Sequence, residues 1–300
     1  MRIATRGSAL ALAQAEWVAA QLPVQTTLVP VVTSGDRRRA VDDKREWVLE
    51  LEEALLRGDA DLAVHSAKDV PVALAEGLAL IAAAPRADPR DVLCGASSLS
   101  ALPEGARVGT ASLRREAQLR ARRPDLDVVE LRGNVDTRLR KLADGEAQAI
   151  VLAAAGLERL GRAGEASSYL DLVPAAGQGT LVVEARADDE AARAAVERLR
   201  DGRAEEALAA ERALVAALGA DCRSAVGAHA THSAPYGDPI GPADDHGAAL
   251  HLRAWVGARD GSAWIFDELW GPDPVALGEE LGRRLLSVGA RELLDAEAAP

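Results

Sequence analysis

Short apolar runs alternate with helical patterns along the first part of this chain, and this alternation constrains the fold more than any other feature. The apolar residues 3–5, 28–32 and 62–64 are separated by the helical patterns Ala9–Gln21 and 49–56. Strands that alternate with helices form a mainly parallel sheet covered by helices. The sequence therefore predicts an α/β protein.

The same alternation continues in a second unit. Its predicted elements are strands at 108–109, 128–131 and 149–152 and helices at 112–122 and 135–142. The turn-rich segment 174–179 then precedes the apolar residues 181–183, which we expect to return the chain to the first sheet. We predict a discontinuous first domain, 1–86 with 180–198, and a second domain, 87–179.

The pattern changes after residue 198, where we expect a smaller α+β domain, 199–300. Its predicted elements are a long helix at 204–218, strands at 226–230, 251–256 and 263–269, and a helix at 274–286. The segment 234–248 is rich in Pro, Gly and Asp, which favours an exposed loop. The length of 300 residues suits two or three domains of about 100 to 200 residues each.

Charge and composition exclude several classes of function. The formal net charge of -12 argues against a dedicated nucleic-acid-binding protein. Residues 1–8 lack the apolar segment of a signal peptide, and there is no run of about 18 apolar residues that would span a membrane. We therefore expect a cytoplasmic protein without a nucleic-acid or membrane partner.

The cysteines and histidines do not form a recognisable metal or redox motif. Cys94 and Cys222 lack CxxC spacing, and we expect both to be reduced thiols. The nearby Arg223 would lower the pKa of Cys222 and make it nucleophilic, whereas a lone thiol is more often inert. No metal site is expected, because four histidines lack flanking cysteines and HExxH spacing. They are His229, His232, His246 and His251.

The run 60–71 ends an apolar segment with an imidazole, a hydroxyl, an ammonium and a carboxylate. These groups belong to His65, Ser66, Lys68 and Asp69, and a proline then stops the strand. The carboxyl ends of strands in open α/β sheets hold ligands and catalytic groups. Asp69 is either a carboxylate that stabilises a developing positive charge, or a helix-start residue or ion-pair partner of Lys68.

Arginines are concentrated in the second unit, where nine occur between residues 107 and 140. Ser112, Arg114 and Arg115 follow a predicted strand at the start of a helix, and Arg132 and Arg138 occupy a second turn of this kind. Backbone amides at a helix N-terminus and guanidinium groups both favour a bound carboxylate or phosphate. The pattern predicts a polyanionic ligand.

Each of these arginines has an alternative role as a solvated surface ion pair, which contributes little. We favour that alternative for the arginines away from the two turns, Arg120, Arg122, Arg123 and Arg140. Arg6 and Ser8 follow the first predicted strand, and residues 33–36 follow the second. Both turns are expected to face the same cleft.

Several motifs, in order along nearly the whole chain, resemble the porphobilinogen deaminase family, also called hydroxymethylbilane synthases. They are IATRxSxLALxQA from Ile3, VHSxKDVP from Val64, GTxSLRR from Gly109, LRGNVxTRL from Leu131 and AxGQG from Ala175. The resemblance implies two domains with the type II periplasmic-binding-protein fold, an active-site cleft between them and a smaller third domain. It also implies a monomer that joins four porphobilinogen molecules head to tail, with loss of ammonia, into the linear tetrapyrrole hydroxymethylbilane.

The same resemblance implies a dipyrromethane cofactor that primes the chain through a thioether to Cys222. It implies that Asp69 is the catalytic residue and stabilises the electron-poor pyrrole left when ammonia departs. The positions implied as cofactor-binding are Cys222, Lys68, Asp69, Ser112, Arg114 and Arg115. The positions implied as substrate-binding are Arg6, Ser8, Ser66, Arg132, Arg138 and Arg159.

The chain departs from the family pattern in three places. Residues 42–49 replace a run richer in glycine and lysine, so no role is assigned to Lys44. Ala220 and Asp221 replace two glycines before the cysteine, and Asp136 replaces another glycine. A solute-binding or sensor protein with the same two-domain clamp is the alternative hypothesis, and a covalent anchor at the cysteine distinguishes the two because a binding protein needs none.

Overall fold

The structure, a computed structural model, describes residues 1–34, 45–220, 224–232 and 249–295. The strands of the first sheet are β1 (Arg2–Arg6), β2 (Thr27–Val31), β3 (Leu62–Ser66), β4 (Leu78–Ala83) and β10 (Leu181–Arg186). Their order is β2-β1-β3-β10-β4. The carboxyl ends of β1, β2 and β3, which run parallel, therefore share one edge.

Helices cover both faces of this sheet. The helices of the described residues are α1 (Ala9–Gln21), α2 (Arg45–Leu56), α3 (Leu113–Arg122), α4 (Val135–Ala143), α5 (Ala154–Arg159), α6 (Glu190–Val196), α7 (Gly202–Leu218), α8 (Pro274–Ser287) and α9 (Ala290–Asp295). Val18 of α1 and Val196 of α6 share one apolar cluster with the sheet, and Leu51 of α2 belongs to another. None of the helices in the described part of the chain is both long and apolar enough to cross a membrane.

The second sheet repeats the topology of the first. Its strands are β5 (Asp91–Cys94), β6 (Arg107–Thr110), β7 (Asp127–Glu130), β8 (Ala149–Ala153) and β9 (Ser168–Leu170), in the order β7-β6-β8-β5-β9. The fourth strand in each order, β10 or β5, runs antiparallel to its neighbours. Each is the first strand formed after the chain crosses from the other sheet. Two crossings, residues 84–90 and 171–180, therefore join the two units.

The third sheet is an antiparallel meander of β11 (Val226–His232), β12 (Leu250–Gly257) and β13 (Trp264–Gly271). One face packs against α7, α8 and α9 through an apolar cluster that includes Leu214, Leu281 and Leu294. This unit therefore has a core of its own.

The predicted α/β class is confirmed: the chain forms two α/β units with the same strand order and a smaller α+β unit. The sheets are mixed rather than mainly parallel, because β5 and β10 run against their neighbours and local apolar periodicity does not encode strand direction. The domain boundaries 1–86 with 180–198, 87–179 and 199–300 stay predictions. Cys222, Lys44 and the segment 234–248 lie outside the described residues.

Candidate active site

Asp69 lies directly beyond the carboxyl end of β3, in a short 3₁₀ turn, Ala67–Asp69. The amide of Ala67 donates to the Thr180 carbonyl at 2.9 Å, which ties the turn to the segment before β10. Gly177 has φ +75°, and a Cβ there would approach the Cβ of Ala67 to 2.8 Å. Glycine at this position therefore lets the crossing segment pass directly against the turn that carries Asp69.

The carboxylate of Asp69 faces cations without being bonded to them. It accepts no hydrogen bond from the described residues, and it interacts electrostatically with Lys68, Arg115 and Arg138. Two of these cations belong to the second unit and one to the first. The structure thus brings Lys68, Asp69, Arg115 and Arg138 into one region, as the strand-end argument expected.

Among the described residues of the first unit, Lys68 is a cation whose pKa is strongly lowered. Its Nζ is 3.4 Å from the Oε1 of Gln178, to which it donates. Burial lowers the pKa of Lys68 to about 8, although the negative charge of Asp69 opposes that shift. The ammonium is therefore held in a poorly solvated position beside an acidic group.

Asp91, the first residue of β5, is a member of the site that the sequence did not reveal. Its carboxylate is fully buried and accepts from Arg114 Nη1 at 2.7 Å and from Arg115 Nε at 3.0 Å. Burial alone would raise the pKa of Asp91, but the two guanidinium groups outweigh it and hold that pKa below its usual range. Arg114 and Arg115 are thus partly committed to an internal carboxylate.

Gln178 connects this buried charge to both crossings. Its Nε2 donates to the Pro89 carbonyl at 2.7 Å and to Asp91 Oδ1 at 2.9 Å, while its Oε1 accepts from Lys68. Arg114 also donates to the Val173 carbonyl at 2.8 Å. The polar groups that line the site are therefore fixed to the segments that join the two units.

Arg138 and Arg159 are desolvated guanidinium groups that have no carboxylate partner among the described residues. Burial, and then the positive charge of Arg115, lower the pKa of Arg138 to about 10, and its buried Nε lacks a hydrogen-bond partner. Arg159 donates to the Gly179 carbonyl at 2.6 Å, and burial lowers its pKa to about 10. A buried cation of this kind costs stability unless an anion compensates it.

Arg132 occupies a different environment from Arg138. It is exposed and its Nη2 lies 2.6 Å from the Oε1 of Glu130, although its charge still acts on Arg138. Asp136 forms a 2.7 Å ion pair with Arg162, so its negative charge is partly neutralised at the surface. The role of Arg132 in substrate binding stays a prediction.

Of the four arginines expected to form surface ion pairs, Arg120 and Arg123 form them. Arg120 pairs with Glu116, and Arg123 pairs with Asp125 and also donates to the Leu99 carbonyl. Arg122 donates to the carbonyl of Asp171, and Arg140 is exposed.

The predicted serines act partly as helix caps. The Oγ of Ser8 accepts from the Ala11 amide at 3.2 Å, and the Oγ of Ser112 accepts from the Arg115 amide at 3.4 Å. Ser66 ends β3 and makes no capping bond to the following turn. The guanidinium of Arg6 lies 3.9 Å from the ring centroid of Trp47, a cation–π contact between the end of β1 and α2.

A second buried ion pair joins the crossings to the third unit. Arg86 donates to both oxygens of Glu211 on α7, at 2.7 and 2.8 Å, and its Nε donates to the Gln178 carbonyl. Glu211 also accepts from the amides of Gly177 and Ala230, at 2.6 and 2.7 Å. Both crossings and the third sheet therefore meet at one carboxylate.

Three of the described histidines, His65, His232 and His251, are engaged individually rather than together. His65 Nε2 lies 3.0 Å from Glu184 Oε2 in the interior, which draws its side chain toward β10. His232 pairs with Glu206, and His251 pairs with Glu268 and stacks on Trp270. Within the described residues there is no group of three His, Cys, Asp or Glu side chains that would hold a metal ion.

Comparison with known proteins decides the family. Residues 1–215 match the family model described as porphobilinogen deaminase, dipyromethane cofactor binding domain. The chain belongs to the porphobilinogen deaminase family. Its relatives in this family include a porphobilinogen deaminase of Roseiflexus sp. (strain RS-1), 47% identical over 97% of each chain. Another is that of Pelobacter propionicus, 43% identical over 98% of this chain and 96% of the relative.

Solved structures similar to the chain include periplasmic binding proteins. The methionine binding protein MetQ superposes with a TM-score of 0.44 at 16% identity, covering 69% of this chain and 92% of its own. A periplasmic substrate-binding protein of an ABC transporter from Coxiella burnetii gives a TM-score of 0.42 at 14% identity, covering 68% of this chain and 94% of its own.

The polar groups of this porphobilinogen deaminase family site fit an anionic pyrrole cofactor. The buried Nε atoms of Arg114 and Arg138 lack hydrogen-bond partners, and Lys68 is an ammonium held in a poorly solvated position. Such groups are satisfied by carboxylate oxygens, which are strong acceptors. The match to the cofactor-binding family model and this set of donors therefore agree.

Proposed function

We propose that this chain joins four porphobilinogen molecules head to tail into hydroxymethylbilane, with release of ammonia, and that Asp69 is its catalytic carboxylate. The observation that carries this proposal is the environment of Asp69. Its carboxylate lies among Lys68, Arg115 and Arg138 but accepts no hydrogen bond from the described residues. It is thus available to a bound ligand.

The substrate is recognised through its carboxylates. Porphobilinogen carries acetate and propionate groups, and Arg138 and Arg159 present partly buried guanidinium groups without carboxylate partners among the described residues. Arg6, Ser8, Ser66 and Arg132 complete the proposed substrate set. Guanidinium–carboxylate bonds are directional, so these residues orient the pyrrole ring as well as bind it.

Asp69 acts on the charge that develops during the reaction. When ammonia leaves the substrate, positive charge spreads over the pyrrole ring and its N–H. A carboxylate fixed at that position lowers the energy of the charged state, because the surrounding site is poorly solvated and the carboxylate needs no reorganisation. Once the new C–C bond has formed, Asp69 would also accept the proton that the attacking α-carbon loses.

The dipyrromethane cofactor supplies, when bound, the terminal pyrrole to which new units are added. We propose that Lys68, Asp69, Ser112, Arg114 and Arg115 hold it and that Cys222, which lies outside the described residues, anchors it by a thioether. Lys68 and Arg114 each offer a buried donor for this purpose.

Replacing Asp69 with asparagine tests the catalytic assignment. The side chain keeps its shape and loses its charge, so we expect turnover of porphobilinogen to fall at least about a hundredfold. The matched control is Asp59→Asn, which removes an exposed ion pair with Arg57 and should leave turnover unchanged. Near-normal turnover in Asp69→Asn would remove Asp69 from the mechanism.

The cofactor assignment has its own readout, the intact mass of the purified protein. The wild type should carry an additional mass of two pyrrole units, and Cys222→Ala should lack it. An unmodified wild type would contradict the covalent anchor, and an additional mass that persists in Cys222→Ala would place the anchor elsewhere.

We also propose that the protein works as a cytoplasmic monomer without a nucleic-acid partner. The net charge of -12 and the buried, unpaired thiol of Cys94 support this proposal. Light scattering at micromolar concentration should give a mass close to 31.3 kDa, and a mass twice as large would contradict the monomer.

A further inference from the structure

Arg212 of α7 binds the backbone immediately after the Asp69 turn. Its guanidinium donates to three consecutive carbonyls, those of Val70 at 3.4 Å, Pro71 at 2.9 Å and Val72 at 2.8 Å. The residues in contact are about 140 positions apart in the chain, so the contact joins the third unit to the first. Nothing in the local sequence around Asp69 indicates this partner.

The backbone at this point needs an external donor. Pro71 has no N–H and ends the strand pattern, and Val70 is bonded to the turn only through its amide, which donates to the Ala67 carbonyl at 3.2 Å. A planar guanidinium with several N–H groups in fixed directions suits a row of carbonyls better than an ammonium does. Arg212 therefore fixes the path by which the chain leaves the catalytic turn.

A buried carboxylate supports Arg212 from within the sheet. Burial lowers the pKa of Arg212, and the negative charge of Glu184 on β10 opposes that effect. Glu184 is fully buried and contacts His65, which lies on β3 four residues before Asp69. The Asp69 turn is thus held on one side by β3 and His65 and on the other by Arg212.

The neighbouring residue on α7 shows how this helix is placed. Glu211 binds Arg86 and the Gly177 amide at the crossings, while Arg212 binds the segment after Asp69. Two adjacent side chains of the third unit therefore contact the two segments that flank the candidate site.

We propose that Arg212 is a positioning residue, which holds the Asp69 carboxylate in the geometry that the reaction requires. This inference rests on the proposed catalytic role of Asp69. A displacement of about 1 Å in a catalytic group costs up to about a hundredfold in rate, even when the change lies away from the reacting atoms. Loss of Arg212 should therefore lower kcat and leave KM for porphobilinogen nearly unchanged.

A matched arginine separates positioning from stability. Arg186 on β10 also donates to two backbone carbonyls, those of Leu55 and Ala60, at 2.8 and 3.1 Å, and it lies beyond the far end of the sheet from Asp69. Arg186→Met removes these two bonds and an ion pair with Asp189 without touching the Asp69 turn. It should lower the unfolding temperature and leave kcat unchanged.

The experiment compares the holoenzyme forms of the wild type, Arg212→Met, Arg212→Lys and Arg186→Met. We expect Arg212→Met to lose about tenfold to a hundredfold in kcat with less than a twofold change in KM, and Arg212→Lys to recover part of the loss. If Arg212→Met does not fold, Arg212→Lys alone carries the comparison with Arg186→Met. Equal kcat losses in the Arg212 and Arg186 variants, or normal kcat in the Arg212 variants, would overturn the proposal.

A double variant tests whether Arg212 acts through Asp69. If it does, Arg212→Met should cost little further activity in the Asp69→Asn background, because residues that act as a unit are not additive. Full additivity would overturn the proposal even if Arg212→Met were slow. An inactive wild type would instead reject the proposed function, so the two failures are distinguishable.

Discussion

The two buried charge clusters of this molecule differ in how completely their charges are paired. At the junction of the crossings, Arg86 and Glu211 bond to each other through both guanidinium nitrogens, and two backbone amides fill the remaining positions on Glu211. Around the Asp69 turn, Arg138 and Asp69 have no hydrogen-bonded partner of opposite charge among the described residues.

This difference in pairing separates the charges that stabilise the fold from the charges that are available to bind a ligand. A buried charge pair whose bonds are complete is tolerated in the folded state, whereas an uncompensated buried charge costs free energy. Among the described residues, Arg138 is a desolvated charge of this second kind, and it lies near the Asp69 turn. There, the carboxylates of an acidic pyrrole chain would supply the missing partners.

Glu211→Gln should produce the largest effect on stability, because it removes one partner of the completed cluster. The variant leaves the Arg86 guanidinium without its carboxylate, and breaking a buried pair in this way costs about 3–5 kcal/mol. Urea unfolding of the holo protein measures the loss. Glu197→Gln, which removes an exposed 3.4 Å ion pair with Arg200, is the control and should cost under about 1 kcal/mol.

If both variants lost the same small amount of stability, the Arg86–Glu211 pair would not contribute more to stability than an exposed ion pair. The proposed difference between the two clusters would then be wrong. If Glu211→Gln lost less stability than expected but still more than Glu197→Gln, the order of the two effects would hold and the difference between them would be smaller.

Two arginines of the second unit should affect stability in opposite directions. Arg114→Met leaves buried Asp91 with fewer partners, so we expect a loss of about 3 kcal/mol. Arg138→Met removes an uncompensated buried cation, so we expect a gain of about 1 kcal/mol and a weaker affinity for porphobilinogen.

The stability comparison is made in the Cys222→Ala background, so that a bound pyrrole chain does not supply partners to either arginine. Losses of similar size in both variants would show that Arg138 has a compensating partner, and its proposed role in binding would need revision.

Lys68 should give the site a pH dependence near pH 8. Because burial lowers the pKa of Lys68 to about 8, the free protein loses this ammonium as the pH rises through that value. We expect kcat/KM for porphobilinogen to fall above about pH 8 in the wild type, and we expect Lys68→Arg to keep its charge and lose that alkaline limb. If Lys68→Arg kept the decrease in kcat/KM at alkaline pH, the group that titrates would be a residue other than Lys68.

The same shift has a defined consequence for stability. The unfolded chain binds a proton at Lys68 more tightly than the folded chain does, so the free energy of unfolding should rise as the pH increases from about 8 towards 10.5. Lys68→Met should remove this contribution to the pH profile. The free energy of unfolding would instead fall with increasing pH for a lysine whose pKa is raised by an ion pair.

Much of the catalytic edge was predictable because its signals are local. The stop after β3 placed Asp69 at a strand end. The predicted helices 112–122 and 135–142 begin at or next to Ser112 and Asn134, which act as N-caps. The family motifs then supplied the fold and the activity. Each local inference needs fewer than about fifteen consecutive residues, and the family inference combines five motifs of that length.

The partners of the buried charges were not predictable in the same way. Arg86 and Glu211 are 125 residues apart, and Asp91 and Arg114 are 23 apart, so pairing depends on the tertiary fold. One signal was present: Glu211 lies between Ala207 and Leu214 on the buried face of α7, where a carboxylate requires a partner. Strand direction was missed for the same reason, since β10 and β5 pair with strands that are distant in the sequence.

Asp136→Asn should have the smallest effect of these changes. Asp136 lies at the start of α4, near the proposed anion site, but it is exposed and paired with Arg162. Removing its charge should lower KM for porphobilinogen by less than about twofold and change stability by less than about 0.5 kcal/mol, because exposed pairs are screened and weak. The decrease in KM should disappear in about 0.5 M salt, where the Debye length is shorter than the separation of surface charges. A larger change that persists at high salt would show that Asp136 contacts the ligand directly, and the boundary between the paired surface and the unpaired site would then lie one turn further along α4.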